Sequence, residues 1–358
     1  MFTQAPMIIG GANGAIGAGL AAVAQAQGHP LYLVDMFEAS PVVQGLLGDR
    51  AAFERLEITN VEAVDRSVAS ARARFGDVDQ VIVVPAQGLG GADKELRDKG
   101  LFDKLYPTNV NGSLNLFDAT RRHFSGAEIL CVGFSSIVDM YGIQMGQSRY
   151  RLSKTVMRVM GQGITEEGDP KVASLTVAPG FVVSTMSKGI SGMLVVSGAI
   201  QAAWFPEQSP LLRQGLAEFL KIEEAQLPKD PPAILKATLG EDLYAPVGKI
   251  MEEQLGPKVQ KRLAIPGRGV VSRSIAAGKL TGGQGEAMER RLAEIALGIG
   301  MAVSPERFGE ILLGAITSGN YNRVFELYGK TEPYDQGPIV EVFGRLPLDP
   351  PAKRVEVL

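Results

Sequence analysis

A single cysteine, Cys131, denies the chain any internal disulfide framework. Its place in the apolar run Glu128-Ile129-Leu130-Cys131-Val132 marks it as core packing rather than a nucleophile. Histidine is almost as scarce. His29 lies in a Gly-His-Pro turn and His123 at a predicted helix end, with no HExxH-like or cysteine-rich spacing near either, so no metal site is expected. Neither sign of charge dominates: 36 basic against 39 acidic residues leave a formal net charge of −3, which offers no broad basic surface to nucleic acid. No basic segment followed by an apolar one opens the chain, and the expectation is a cytoplasmic protein. Charge is absent altogether from Gly189 to Pro206. That run borders on membrane-spanning length, but its glycines, its serines and its place inside a globular pattern favour a buried helix or pocket wall over a membrane-facing patch.

With 45% hydrophobic residues in 358, the chain can bury a full core as one large domain or two. Apolar runs alternate with helical periodicity. Strands are expected near 6–10, 30–35, 53–58, 80–84, 128–133, 172–178 and 322–328, with helices near 14–27, 61–75, 103–122, 147–163 and 304–318. Right-handed crossovers through such an order build a doubly wound parallel α/β sheet of Rossmann type, whose ligands bind beyond the carboxyl ends of the strands.

Three constellations fall at those ends. The strand Met7-Ile8-Ile9 runs into Gly11-Ala12-Asn13-Gly14-Ala15-Ile16-Gly17 and then a helix-forming stretch. Glycines there let the backbone approach a pyrophosphate, and the helix start supplies unpaired N–H groups and a positive dipole end. Asp35 ends the second strand about 20 residues later, where a carboxylate accepts bonds from an adenosine ribose and repels a 2′-phosphate. The expected cofactor is therefore NAD. Tyr150 and Lys154 stand four residues apart, on one face of a helix. An ammonium there is expected to lower the tyrosine pKa, so that the phenol exchanges a proton with an alcohol or carbonyl oxygen.

Taken in order, these segments resemble the short-chain dehydrogenase/reductase family, from the first strand to Met186 and again near Ser304. The resemblance implies further roles. Asn109, in Thr108-Asn109-Val110-Asn111-Gly112, would seat a proton-relay water, and Ser136 would orient the substrate oxygen, with Ser135 as the alternative. Lys154 would also bind the nicotinamide ribose. Met36 and Ile58, in Glu57-Ile58-Thr59, would lie at the adenine, and Ala86 at the central strand. Pro179, Gly180, Val182 and Ser184 would line the nicotinamide. The chain departs from the family at Gly10, where threonine is usual, and at Pro85-Ala86-Gln87-Gly88, where Asn-Asn-Ala-Gly is usual. The spacing Gly11-Gly14-Gly17 resembles instead the extended branch of epimerases and dehydratases.

The expected domains are 1–186 with 303–345 as the dinucleotide-binding and catalytic domain, 187–302 as an inserted, mainly helical cap or assembly subdomain, and 346–358 as a tail. Within the insertion, helices are read at Leu211–Leu220 and Leu243–Leu255, and the glycine-rich stretch from Pro266 to Gly285 as a mobile loop. Met186, Met193 and Trp204 join Ser136 as candidate substrate contacts. The expected activity is hydride transfer between NAD and a secondary alcohol or ketone, with a bulky apolar substrate. The alternatives are an epimerase or dehydratase holding NAD tightly, or a nucleotide sensor without catalysis. The expected assembly is a homo-oligomer, dimer or tetramer.

Overall fold

The computed structural model describes residues 2–85, 89–91, 93–136, 147–167, 169–184, 190–255, 270–319 and 324–327. Ala86, Met186, the stretch 256–269 and the tail lie outside them. Contacts divide the chain into two compact units, one of Met1–Gly180 with Pro305–Leu327 and one built on Phe181–Ser304.

The first unit is a parallel sheet of seven strands in the order β3-β2-β1-β4-β5-β6-β7. The strands are β1 Met7–Gly10, β2 Leu31–Asp35, β3 Ala51–Arg55, β4 Gln80–Val84, β5 Glu128–Phe134, β6 Val172–Pro179 and β7 Val324–Leu327. β1 and β2 are buried along their whole length, as expected for continuous apolar runs covered on both faces. β3, on an edge, is only half-buried and tolerates Glu54 and Arg55. The sheet is of Rossmann type, and its strand order reverses between β1 and β4, the switch point where such sheets open a crevice.

Helices α1 Ala15–Ala26, α2 Pro41–Gln44, α3 Val61–Phe75, α4 Asp93–Asp98, α5 Gly112–His123, α6 Ser148–Glu166 and α13 Pro305–Thr317 belong to this unit. α1 and α13 meet backbone to backbone: a Cβ on Gly19 would lie 2.3 Å from the Pro305 carbonyl oxygen. Sequence periodicity places the third strand at 53–58, but it spans Ala51–Arg55; Leu56 still donates its N–H to the Asp35 carbonyl at 2.7 Å, and Leu56 and Ile58 are buried in the core with α5. The helix read from 103 is broken differently as well. Pro107 has no N–H to give, and residues Pro107–Asn111 form a π-helical turn before α5 begins.

The described residues of the second unit are mainly helical: α7 Ser191–Trp204, α8 Pro210–Leu220, α9 Pro231–Leu239, α10 Glu241–Leu255, α11 Val270–Ala276 and α12 Gly282–Gly298. The uncharged α7 is its central element, packed against α9 and α12, with Met193, Leu194, Val195 and Val196 buried. The mobile loop expected up to Gly285 is overturned from 270 onward by α11 and α12. Thr281 and Gln284 form a capping box, each side chain bonded to the other's backbone N–H, at 3.3 and 2.8 Å. Those two bonds start a helix on glycines that taken alone disfavour one. No helix among the described residues is long and apolar enough to cross a membrane.

Candidate active site

Parallel strands bring their carboxyl ends to one edge of the sheet. The glycine turn follows β1, Asp35 closes β2, Ser136 follows β5, and Pro179 closes β6 with Gly180 next. At the turn Gly11 takes φ +63°, a left-handed value that suits glycine. The Gly14 N–H closes the turn on the Gly11 carbonyl at 2.9 Å. A Cβ on Gly17 would sit 2.3 Å from that same oxygen, so only glycine lets the helix press against the turn. Gly14 is the N-cap of α1, with no side-chain cap and no acidic residue in the first turn. The N–H groups at the exposed start of the helix, at Ala15 and Ile16, have no intrahelical partner. A turn that a Cβ would fill, followed by an uncapped helix start, fits a dinucleotide pyrophosphate.

Asp35 is buried and accepts the Asn13 N–H at 3.0 Å on one oxygen and the Phe37 N–H at 3.1 Å on the other. Each oxygen keeps a lone pair for a ribose hydroxyl. Met36 is exposed beside it. Ile58 is buried, held by Asn115 through its carbonyl at 3.0 Å, and a Cβ on Gly112 would lie 2.6 Å from its side chain.

The catalytic candidates converge in the first unit. Tyr150 stands in the first turn of α6 because Asp93, from α4, binds the helix start. Its carboxylate accepts the Ser148 N–H at 3.0 Å and the Arg149 N–H at 3.1 Å, and also the Ser148 hydroxyl. Burial alone would raise the Asp93 pKa, but those bonds outweigh it and hold the carboxyl below its usual range. Ser136 hydrogen-bonds Tyr150. The Lys154 Nζ lies over the Tyr150 ring, 5.0 Å from its centroid. Asn109, wholly buried in the π-helical turn, accepts the Leu89 N–H at 3.3 Å, and its Nδ2 donates to the Leu89 carbonyl at 2.8 Å and to Ser153 Oγ at 3.4 Å. Ser153 in turn donates to the Tyr150 carbonyl at 2.7 Å. Asn109 therefore ties the chain after β4 to the helix that carries Tyr150 and Lys154. Ser135 gives its backbone N–H to the Val177 carbonyl at 2.7 Å.

One expectation is reversed. Tyr150 is not shifted down: burial pushes it up to about 12, with the Ser136 bond only partly opposing. Burial also pushes Lys154 down to about 7. The reason is geometric. The ammonium sits over the face of the ring rather than at the hydroxyl, and desolvation outweighs the attraction between them. Near pH 7 the phenol keeps its proton, and burial weakens the lysine's hold on its own.

The remaining candidates are placed less centrally. Pro179 and Gly180 are partly exposed. Val182 and Ser184 fall in the second unit, where Val182 pairs with Val303. Met193 is 5% exposed and belongs to that unit's core, whereas Trp204 is 38% exposed at the end of α7. Asp93, Ser148 and Ser153 went unread in the sequence. Nothing in the composition of Asp93-Lys94-Glu95 says that it caps a helix beginning 55 residues away.

The model of a known family, described as short chain dehydrogenase, matches residues 5–194. An uncharacterized oxidoreductase of Mycobacterium tuberculosis is 27% identical over 212 residues, spanning 55% of this chain and 81% of that protein. A 3-oxoacyl-(acyl-carrier-protein) reductase of Chlamydia muridarum is 25% identical over 205 residues, spanning 54% of this chain and 80% of that one. Among solved structures, a short-chain dehydrogenase/reductase (glucose/ribitol dehydrogenase) from Brucella melitensis superposes with a TM-score of 0.49 at 21% identity, covering 59% of this chain and 83% of its own.

Proposed function

We propose, for a chain that belongs to the short chain dehydrogenase family and is an oxidoreductase by that membership, that it transfers a hydride between NAD and a secondary alcohol or ketone. The observation that carries this reading is the joining of Ser136, Tyr150 and Lys154 at the same sheet edge as the glycine turn. The dinucleotide, when bound, supplies the hydride acceptor or donor. The turn Gly11–Gly17 and the start of α1 would hold its pyrophosphate, and Asp35 its adenosine ribose, favouring NAD over NADP by repulsion of a 2′-phosphate.

Tyr150 is the proton carrier. In the reducing direction the phenol, which keeps its proton at neutral pH, gives it to the substrate oxygen as that oxygen gains negative charge. Ser136 orients the same oxygen by hydrogen bonding. In the oxidising direction Tyr150 must first lose a proton, and a fully cationic Lys154 favours that loss. Ribose hydroxyls accepting from its ammonium would stabilise the charged form and restore the shift that burial removes. Asn109 keeps the helix bearing both residues in register with the chain after β4, and a relay water held there is part of this proposal.

That the substrate is bulky and apolar is read from the uncharged run 189–206 of the sequence, most of which is buried in the core of the second unit. Met193 is taken up by its own unit's core, whereas Trp204 is exposed at the end of α7. The test is a panel of secondary alcohols with NAD and ketones with NADH, followed by NADH absorbance. Turnover that disappears in Tyr150→Phe while dinucleotide binding persists is the expected result. Tyr150→Phe with near-normal kcat would overturn the assignment.

A further inference from the structure

Asn13 lies inside the glycine turn, yet its side chain is turned away from it. The Oδ1 accepts the Ser40 N–H at 2.7 Å, while Nδ2 donates to the Glu38 carbonyl at 2.9 Å and to the Phe37 carbonyl at 3.4 Å. Acceptor meets donor and donor meets acceptors, which fixes the orientation of the amide. One side chain thus staples the loop 37–40 to the turn. That loop carries the Phe37 N–H, one of the two anchors of the Asp35 carboxylate, and the Asn13 N–H is the other. From the opposite side Arg55, register partner of Asp35 on β3, gives its Nε–H to the Met36 carbonyl at 3.1 Å, and its guanidinium faces Glu38 at 3.4 Å.

We propose that Asn13 is a positioning residue for cofactor choice, making Asp35 a rigid reader of the 2′ position by holding loop 37–40. The inference rests on the reading of Asp35 as the ribose acid. A carboxylate anchored at both oxygens cannot swing away from a 2′-phosphate, so NADP meets the full repulsion. Once the staple is cut, the Phe37 anchor moves with its loop, the carboxylate keeps only the Asn13 N–H and can turn about that one bond, and Glu38 is no longer held beside Arg55. Discrimination then falls without any loss of charge.

A direct contact from Asn13 to the pyrophosphate would behave differently, because that group is common to both dinucleotides. The experiment measures Kd for NAD and for NADP by calorimetry on the full chain, in wild type, Asn13→Ala, Asp35→Ala and the double variant. The wild type should prefer NAD, and Asn13→Ala should narrow the ratio of the two constants by roughly ten-fold, the scale of one or two lost hydrogen bonds. In the Asp35→Ala background Asn13→Ala should change that ratio no further, since it acts through Asp35. Asn13→Ser, too short to span the three partners, should reproduce the narrowing if the alanine variant folds poorly. Equal weakening of both dinucleotides by Asn13→Ala, or narrowing that adds to that of Asp35→Ala, overturns the inference while leaving the ribose acid intact. A wild type that prefers NADP, or an unchanged ratio in Asp35→Ala, overturns the ribose reading itself and this inference with it.

Discussion

Lys154 should make the stability of the cofactor-free protein depend on pH. The side chain is 2% exposed, and burial moves its pKa from 10.5 to about 7. The folded chain therefore binds fewer protons than the unfolded chain between those values, and stability rises with pH through the window. At about 1.4 kcal/mol per unit of pH, less the rounding near pH 7, the gain from pH 7 to 9 is about 2 kcal/mol. Three other buried groups act in the opposite sense at higher pH. Burial pushes Tyr32, Cys131 and Tyr150 each up to about 12, so the unfolded chain loses those protons first and their contribution to stability falls above roughly pH 9. Comparison with Lys154→Met cancels these shared titrations. Urea unfolding by circular dichroism, run from pH 6.5 to 9 on both proteins, should show wild-type stability approaching that of the variant as pH rises. Parallel curves would refute the burial argument, and a wild type that gains on the variant as pH falls would show that the ammonium is paired rather than merely desolvated.

Gly17→Ala should abolish dinucleotide binding and lower stability by about 1–3 kcal/mol, because the new Cβ would lie 2.3 Å from the Gly11 carbonyl oxygen; calorimetry and a melt check both. Asp93→Ala removes the bonds at the start of α6 and should cost about 1 kcal/mol of stability. Its kcat should fall with NAD affinity largely kept, and an unchanged kcat would show that Tyr150 needs no such support. His29 is buried with its pKa lowered, chiefly by desolvation. The unfolded chain takes up its proton first, so stability should be lost as pH falls below about 6.5; a His29→Gln variant retaining the same acid slope would clear this residue of the effect.

Local chemistry was legible wherever function is carried by residues close together in the chain. The turn Gly11–Gly17, the acid closing the second strand and the four-residue step from Tyr150 to Lys154 each express a rule of backbone reach or helix period, which a sequence states directly. So were β1, β2, β4, β5 and β6, since strands covered on both faces are near-continuous apolar runs, in β6 interrupted only by small hydroxyl residues. The edge strand was misplaced because Leu56 and Ile58 are apolar and buried, so that periodicity carries the strand past its end at Arg55.

Only tertiary structure decided what depends on distant partners. Asp93 caps a helix 55 residues away, and Asn13 staples a loop 24 to 27 residues further along the chain. Thr281 and Gln284, only three residues apart, are by contrast a local helix-start signature that the surrounding glycines masked. The protonation of Tyr150 and Lys154 was beyond reach for a related reason. The sequence by itself determined that the two share a helix face, and so that their charges would matter to each other. It held no measure of burial, and burial, a property of the surrounding fold, sets the direction in which both pKa values move.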